Sequence, residues 1–150
     1  RDRVESVHRP SHDALASLIA EAKGTFGVAI LIDWHSMPAA AAAQAGLGAG
    51  CDIVLGDRFG AACSPAISRL VERELQGMGY QVARNAPYAG GYTTEHYGRP
   101  GRRAHALQIE VNRALYMDEA TLEPTPGFAR LKADFETLIA ALAAEDWSRL

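Results

Sequence analysis

The segment that most constrains the fold is residues 28–38, VAILIDWHSMP, in which an apolar run leads directly into polar and reactive side chains. Val28 to Ile32 are apolar at every position, which is typical of a strand covered on both faces of a sheet. Asp33 and His35 follow two residues apart, so a continuing strand would send both side chains to the same side. The segment therefore predicts a buried strand that ends in a carboxylate and an imidazole.

The remaining sequence alternates between helical and strand patterns. Apolar residues recur at helical spacing in some segments, and short apolar or alternating runs mark others as strands. The predicted helices are residues 10–24, 64–78 and 128–142, and the later predicted strands are residues 52–55, 80–83 and 105–113. This alternation predicts an α/β fold with helices packed on a sheet. A chain of 150 residues with 48% hydrophobic content has enough apolar material for one core, which predicts one domain.

Two segments between these elements are predicted to be loops. Residues 40–50, AAAAQAGLGAG, are low in complexity and follow the polar end of the first strand, where an ordered or mobile loop could act as a lid. Residues 85–103, NAPYAGGYTTEHYGRPGRR, are rich in Gly, Tyr and Arg. Since ligands bind beyond the carboxyl ends of strands in α/β sheets, we expect chemistry to gather where such loops diverge.

The charge pattern bears on the partner and the compartment. The formal charge of -3 comes from 18 acidic and 15 basic residues without a long run of like charge, which favours a small-molecule substrate over nucleic acid or a membrane surface. Cys51 and Cys63 lack CxxC spacing, which suits a reducing cytoplasm. We find no membrane-spanning or signal segment. The first methionine is Met37, so we expect residues upstream of Arg1.

The predicted strand at residues 105–113 places a carboxylate among amides. Leu107, Ile109 and Val111 fall on one face, and the other face carries Gln108, Glu110 and Asn112. A carboxylate in mid-strand is costly to bury without a reason. Glu110 could act as a general base that activates water beside a metal and then passes the proton to a departing amine. The alternative is a carboxylate on a solvated sheet face, paired with Arg113 or with another arginine.

His35 and two arginines are the other candidates for chemistry. His35 fits a metal ligand, with Asp33 nearby or accepting from the ring to fix its tautomer. The alternative is a strand-end histidine bonded to a loop. Arg99 and Arg113 lie next to the loop and strand candidates, and a guanidinium group can hold a substrate carboxylate through two hydrogen bonds. They could equally be ordinary surface arginines.

Other motifs give weaker signals. His8 and His12 are four residues apart, but Pro10 is expected to start the helix and leave His8 outside it. The sequence CSP at residues 63–65 lacks the GxSxG pattern, and neither cysteine has a basic neighbour in sequence, which argues against a nucleophile.

Four segments together resemble the N-formylglutamate amidohydrolase family. They are DWHSMP, DIVLGDRFG, NAPYAGGYTTEHYGRP and HALQIEVNRALYMDE, in order along nearly the whole chain. The resemblance implies a three-layer α/β/α sandwich around a mixed sheet, similar to zinc carboxypeptidases and aspartoacylases. It also implies zinc-dependent cleavage of N-formyl-L-glutamate to formate and L-glutamate in bacterial histidine degradation. His35 would be a zinc ligand and Glu110 the catalytic carboxylate. The implied substrate-binding residues are Tyr92, Arg99, Asn112 and Arg113.

The resemblance also implies that part of the site lies outside the chain. The first two zinc ligands of the family belong to an N-terminal portion upstream of Arg1, so residues 1–150 would be the C-terminal portion of one amidohydrolase domain. Two alternatives stay open: a non-catalytic small-molecule-binding α/β module, and an inactive fragment whose exposed sheet edge seeks a partner. The acyl group that is cleaved and the oligomeric state are not fixed by the sequence.

Overall fold

A computed structural model describes residues 2–43 and 50–150 of the chain. The strands are β1 (Ala29–Met37), β2 (Ile53–Gly56), β3 (Val82–Arg84) and β4 (Ala104–Asn112). The helices are α1 (Arg9–Phe26), α2 (Ala39–Ala43), α3 (Pro65–Gly77), α4 (Tyr92–Tyr97) and α5 (Gly127–Ala144). None of the described helices combines the length and the apolar character needed to cross a membrane.

The four strands form one open mixed sheet in the order β1-β4-β2-β3. β1 runs parallel to β4 and β2 runs parallel to β3, whereas β2 and β4 are antiparallel. Helices lie on both faces of the sheet, so the predicted α/β class with a mixed sheet is confirmed. The register of the β1–β4 pair runs from Ala29 opposite Ala104 to Met37 opposite Asn112. This register determines which side chains of the two strands are neighbours.

The main core lies between the sheet and helices α3 and α5. Alternate residues of β2 and β4 meet the apolar stripes of the two helices, and the most deeply buried of these are Ile53, Leu55, Ile67, Val71, Leu75, Leu107, Ile109 and Leu138. Burying one such side chain fully contributes roughly 1.5–3 kcal/mol. Ser64 caps α3 by accepting from the Ala66 N–H at 3.3 Å, as the Ser-Pro pair predicts. A smaller cluster around Met37, Val54 and Ala83 lies on the opposite face.

β1 differs from its prediction in both length and burial. It extends to Met37, and only its two end residues are buried, so the expected cover on both faces is absent from the described part of the chain. The physical reason is position, because among the described strands β1 lies at the edge of the sheet, next to two apolar grooves. One groove of about 580 Å³ is lined by Phe26 and Ile32, and another of about 550 Å³ is lined by Trp34.

The N-terminal helix begins earlier than predicted. A π-helical turn, Val4–His8, precedes α1, and the Arg9 N–H closes this wider turn by bonding to the carbonyl of Val4. The wider turn accommodates Pro10, which has no N–H to donate. His8 is therefore part of the helical segment, and its ring centroid lies 4.3 Å from that of His12. The expectation that His8 lies outside the helix was wrong.

The predicted loop at residues 40–50 is only partly described. Ala39–Ala43 form α2, whose Ala42 is buried against Met37 and Val54. Residues 44–49 lie outside the described residues, so the lid prediction is untested there. The helical form of the alanines is consistent with the high helix propensity of Ala.

Candidate active site

The end of β1 brings Asp33 and His35 together on one side of the sheet. His35 Nε2 lies 3.2 Å from Asp33 Oδ1, and the imidazole is 47% exposed whereas the carboxylate is 18% exposed. The other carboxylate oxygen, Asp33 Oδ2, is buried and has no hydrogen-bond partner in the described structure. Trp34 points the other way and packs on Phe135 of α5, with ring centroids 4.6 Å apart. His35 thus faces away from the main core.

Glu110 lies directly beside His35 on the neighbouring strand. The two residues are register partners of the β1–β4 pair, where adjacent backbones are about 4.8 Å apart. Ile109 and Val111 belong to the main core, so Glu110 points to the opposite face, which is the face of His35. Glu110 is only 7% exposed. The structure therefore brings the predicted metal ligand and the predicted catalytic carboxylate onto one face of adjacent strands.

Gln108 holds the carboxylate of Glu110 in place. Its Nε2 donates to Glu110 Oε1 at 2.8 Å within the buried face of β4. Within the described ranges Glu110 forms no ion pair, and Arg113 turns to Ser36 instead, with Nε 3.2 Å from the serine Oγ. This geometry does not support the alternative in which Glu110 is a solvated carboxylate paired with Arg113.

The glycine-rich loop at residues 89–91 lies directly on this face of the sheet. The Gly91 N–H donates to Gln108 Oε1 at 2.6 Å. The loop backbone approaches Gly56 of β2 so closely that a Cβ atom there would lie 2.7 Å from the Gly90 nitrogen. Gly56 is therefore required for the loop to reach the sheet. Tyr92 follows at the start of α4, is 58% exposed and stacks on the ring of His96, with centroids 5.1 Å apart. No described contact joins the predicted substrate-binding tyrosine to His35 or Glu110.

The two predicted arginines occupy opposite ends of β4. Arg113 follows the strand and contacts Ser36, next to His35. Arg99 pairs with Ala104 at the start of the strand, and its guanidinium group bonds to the carbonyls of Glu95 and Gly98. Six residues of strand, or roughly 20 Å, separate Ala104 from Glu110. Ser36 has the parity of Trp34 and pairs with the core residue Val111, so the described contacts place neither guanidinium group on the face of His35 and Glu110.

Asn112 has structural partners at both ends of its amide. Its Oδ1 accepts from the Ala114 N–H at 3.1 Å and caps the 3₁₀ turn Arg113–Leu115. Its Nδ2 donates to the Cys51 carbonyl at 3.3 Å. The predicted contact of Asn112 with substrate therefore has no support in the geometry, because the groups it would use are engaged in holding the end of β4.

A second polar network, which the sequence did not indicate, supports the loops beside the site. Asp57 is 2% exposed and accepts from Ser68, Asn85, Gly60 and Arg84, with the Arg84 contact at 2.6 Å. Burial would raise the pKa of Asp57, but the hydrogen bonds from Asn85, Ser68 and Gly60 and the charge of Arg84 outweigh it and lower the pKa. Four partners on three different segments show that this carboxylate organises the turn after β2. The GDRFG sequence alone carries no signal for these distant partners.

Imidazole and phenol rings cluster where α1 meets α4. His12 Nδ1 lies 2.5 Å from the Tyr97 hydroxyl, and His96 Nδ1 lies 3.3 Å from the Tyr92 hydroxyl. The cluster connects the N-terminal helix to the element that carries Tyr92. In the sequence His96 and Tyr97 are visible only as parts of a polar loop.

Both cysteines are poor nucleophiles in this structure. Burial raises the pKa of the Cys63 thiol to about 12 and also raises the pKa of Cys51. The thiolate is the reactive form, so a raised pKa removes reactivity near neutral pH. The sequence-based argument against a cysteine nucleophile agrees with this environment.

The donor set at the end of β1 fits part of a zinc site. Imidazole nitrogen and carboxylate oxygen are ordinary zinc ligands. A buried carboxylate oxygen without a partner, such as Asp33 Oδ2, marks a place where a donor or a cation is expected. Across residues 2–43 and 50–150, no three His, Cys, Asp or Glu side chains come together in a way that could hold a metal ion. The described residues thus supply fewer than the roughly three protein ligands of a catalytic zinc.

Comparison with known proteins identifies relatives along most of the chain. A sequence model of the N-formylglutamate amidohydrolase family matches residues 1–117. The N-formylglutamate deformylase of Pseudomonas aeruginosa is 36% identical over 117 residues, which is 77% of this chain and 44% of that protein. The N-formylglutamate deformylase of Pseudomonas putida is 33% identical over the same share of this chain and 43% of its own length. The chain therefore spans less than half the length of the curated relatives it matches.

Solved structures show the same relationship. A crystal structure of N-formylglutamate amidohydrolase from Ralstonia eutropha JMP134 is 42% identical, with a TM-score of 0.88 over 94% of this chain and 51% of that one. A gene product from Agrobacterium tumefaciens is 18% identical, with a TM-score of 0.62 over 95% of this chain and 52% of its own. The second likeness concerns the fold alone.

Proposed function

The chain belongs to the N-formylglutamate amidohydrolase family, and on that basis we propose that it carries part of the active site of a zinc-dependent amidohydrolase. The proposed reaction is hydrolysis of N-formyl-L-glutamate to formate and L-glutamate. The observation that carries the proposal is the pairing of His35 with Glu110 on one face of adjacent strands. The family resemblance implies a place in bacterial histidine degradation, and the cysteine pattern favours the cytoplasm; both stay predictions.

In this proposal β1 supplies the metal-binding end of the site. His35 would hold the zinc ion, and Asp33 Oδ1, 3.2 Å from Nε2, would accept a hydrogen bond from the ring N–H and leave the Nδ1 lone pair free for the metal. A zinc ion, when bound, lowers the pKa of water and polarises a carbonyl oxygen. The further protein ligands would come from outside residues 1–150.

β4 supplies the proton-transfer group. Glu110 would take a proton from the attacking water as the water oxygen bonds to the formyl carbon. It would then give the proton to the amide nitrogen as the C–N bond breaks, so that formate and the amino group of L-glutamate are released. Gln108 holds Oε1, and we assign the proton transfer to Oε2.

Arg113 and Tyr92 are kept as proposed substrate-binding residues because the family resemblance implies them. The guanidinium group of Arg113 would bind a carboxylate of the substrate. In the described structure it bonds instead to Ser36, which has the parity of Trp34 in β1. Tyr92 lies exposed at the start of α4, which directly follows the glycine-rich loop. We leave Arg99 and Asn112 out of the proposed substrate contacts because of the positions and bonds described above.

The test compares the chain alone with a fusion to the N-terminal portion of the Ralstonia eutropha relative. The 150-residue chain should retain little zinc and release negligible formate, because zinc affinity depends on several preorganised ligands. The fusion should retain zinc and release formate. Zinc is measured by mass spectrometry after dialysis, and formate by a coupled assay. A bare chain that proves to be a competent zinc enzyme would show that the site is complete within residues 1–150.

Two substitutions in the fusion separate the proposed roles. His35→Ala should abolish zinc retention, whereas Glu110→Gln should keep the metal and lower turnover by about 10²–10⁴-fold, since an amide cannot take the proton. Glu123→Gln, on an exposed residue, is the matched control and should change neither. Full activity of Glu110→Gln would remove Glu110 from its role.

A further inference from the structure

Gln108 connects two parts of the candidate site that are distant in the sequence. Its side chain, on a residue only 4% exposed, accepts from the Gly91 N–H at 2.6 Å and donates to Glu110 Oε1 at 2.8 Å. We propose that Gln108 is a positioning residue that couples the order of the glycine-rich loop to the orientation of the Glu110 carboxylate. The inference deepens the proposed function and depends on it for its catalytic meaning.

The two partners of Gln108 make opposite demands. A backbone N–H requires an acceptor, and a carboxylate requires a donor. A primary amide supplies both from one planar group, and its orientation is determined because a flip would place NH₂ against N–H and oxygen against oxygen. Glu offers acceptors only when ionised, and Met offers neither strong group. Among side chains of this length, glutamine alone satisfies both partners.

The loop has little freedom to find another position. The Gly90 nitrogen is seated over Gly56, and Arg58 NH1 donates to the Gly90 carbonyl at 3.3 Å. Gly91 immediately precedes α4, and Thr94 Oγ1 bonds back to the Gly91 carbonyl at 2.7 Å. Whatever fixes Gly91 therefore also fixes the start of α4, where Tyr92 lies. The buried amide of Gln108 therefore connects the glycine-rich loop to Glu110, the proposed general base.

This arrangement predicts that a substitution of Glu110 weakens the hydrogen bond from the Gly91 N–H to Gln108. Without the carboxylate, the Gln108 amide loses the partner that sets its orientation, and its bond to the Gly91 N–H weakens. The reverse also holds, because Gln108 anchored to the loop restricts the rotamers of Glu110. Neither effect requires zinc or substrate.

The experiment measures amide hydrogen exchange by NMR in the 150-residue chain without metal or substrate. The readout is the exchange rate of the Gly91 N–H divided by that of the Ala106 N–H, which bonds to the Ala62 carbonyl. A variant that is only less stable accelerates exchange through global unfolding, which is open to both amides, and so it does not raise this ratio. Gln81→Met, at an exposed position next to β3, is the matched control.

Gln108→Met should raise the ratio by about tenfold, as expected for the loss of one buried hydrogen bond. Gln108→Glu keeps an acceptor for Gly91 and should raise the ratio much less. Glu110→Ala, which leaves Gln108 intact, should raise it by about threefold, a fraction of the same hydrogen-bond energy. A ratio for Gln108→Met equal to that of Gln81→Met would overturn the proposal, and so would an unchanged ratio in Glu110→Ala. Absence of hydrolysis in the fusion would count against the proposed function only, because this readout involves no reaction.

Discussion

β1 and β4 are parallel partners of nine residues each, yet they differ strongly in burial. Eight consecutive residues of β4 are buried, whereas only Ala29 and Met37 of β1 are. β4 has a strand on each side and β1 has one within the described chain. The difference shows that the burial of a strand depends on how many strands lie beside it and not on its own sequence alone. The candidate site therefore has a buried part around Glu110, which is held by hydrogen bonds, and an exposed part around His35.

The most direct test of the difference in burial between β1 and β4 is to shorten paired apolar side chains on the two strands. Leu107 and Ile32 are register partners, so Leu107→Ala and Ile32→Ala are matched changes. In the 150-residue chain, Leu107→Ala should lower the free energy of unfolding by about 2–5 kcal/mol, because it leaves a cavity in the core. Ile32→Ala should cost only about 1 kcal/mol, because the side chain is already partly in water. Urea unfolding measures both.

Equal losses would show that β1 is as well packed as β4. In the fusion with the relative's N-terminal portion, the cost of Ile32→Ala should rise toward that of Leu107→Ala. An unchanged cost there would mean that the added portion does not cover β1.

A smaller effect on the free energy of unfolding should appear at acid pH, and it comes from the buried carboxylate of Asp57. The folded chain lowers the pKa of Asp57 below its ordinary value of 3.8. The folded state therefore binds this proton less readily than the unfolded state, so the contribution of Asp57 is fully present above pH 3.8 and is lost as the pH falls through the folded pKa. Unfolding free energies measured across this range should decline less steeply in Asp57→Asn than in the unsubstituted chain. Identical slopes would mean that other carboxylates account for the acid dependence.

The smallest predicted effect concerns Arg113, which links the end of β4 to Ser36 of β1. In the active fusion, Arg113→Lys should raise KM for N-formyl-L-glutamate by about tenfold with little change in kcat, since lysine cannot form the forked pair of bonds. Arg99→Lys is the control and should leave both constants unchanged, because Arg99 lies at the other end of β4. A larger effect at Arg99 than at Arg113 would reverse this assignment.

Much of this architecture could be predicted from residue patterns. Alternation correctly puts Asp33 and His35 on one side of β1 and Glu110 on the side of β4 opposite Ile109, because it is a local property. That these two sides are the same face of the sheet depends on the β1–β4 register. The edge position of β1 could not be predicted, since an apolar run does not reveal which strands lie beside it. The place of Arg99 depends on the path of the loop at residues 85–103. Gln108 had the right parity, but its partner Gly91 is a backbone group that carries no side-chain signal.

The register that unites His35 with Glu110 also has a consequence for the order in which the molecule is made. The two strands are separated by half of the chain, so β1 leaves the ribosome long before its partner exists. Pairing must close that long stretch, and contacts between residues so distant in sequence form slowly. Neither strand alone contains the candidate site. The strand order therefore predicts that the site forms late in folding, when β4 inserts between β1 and β2.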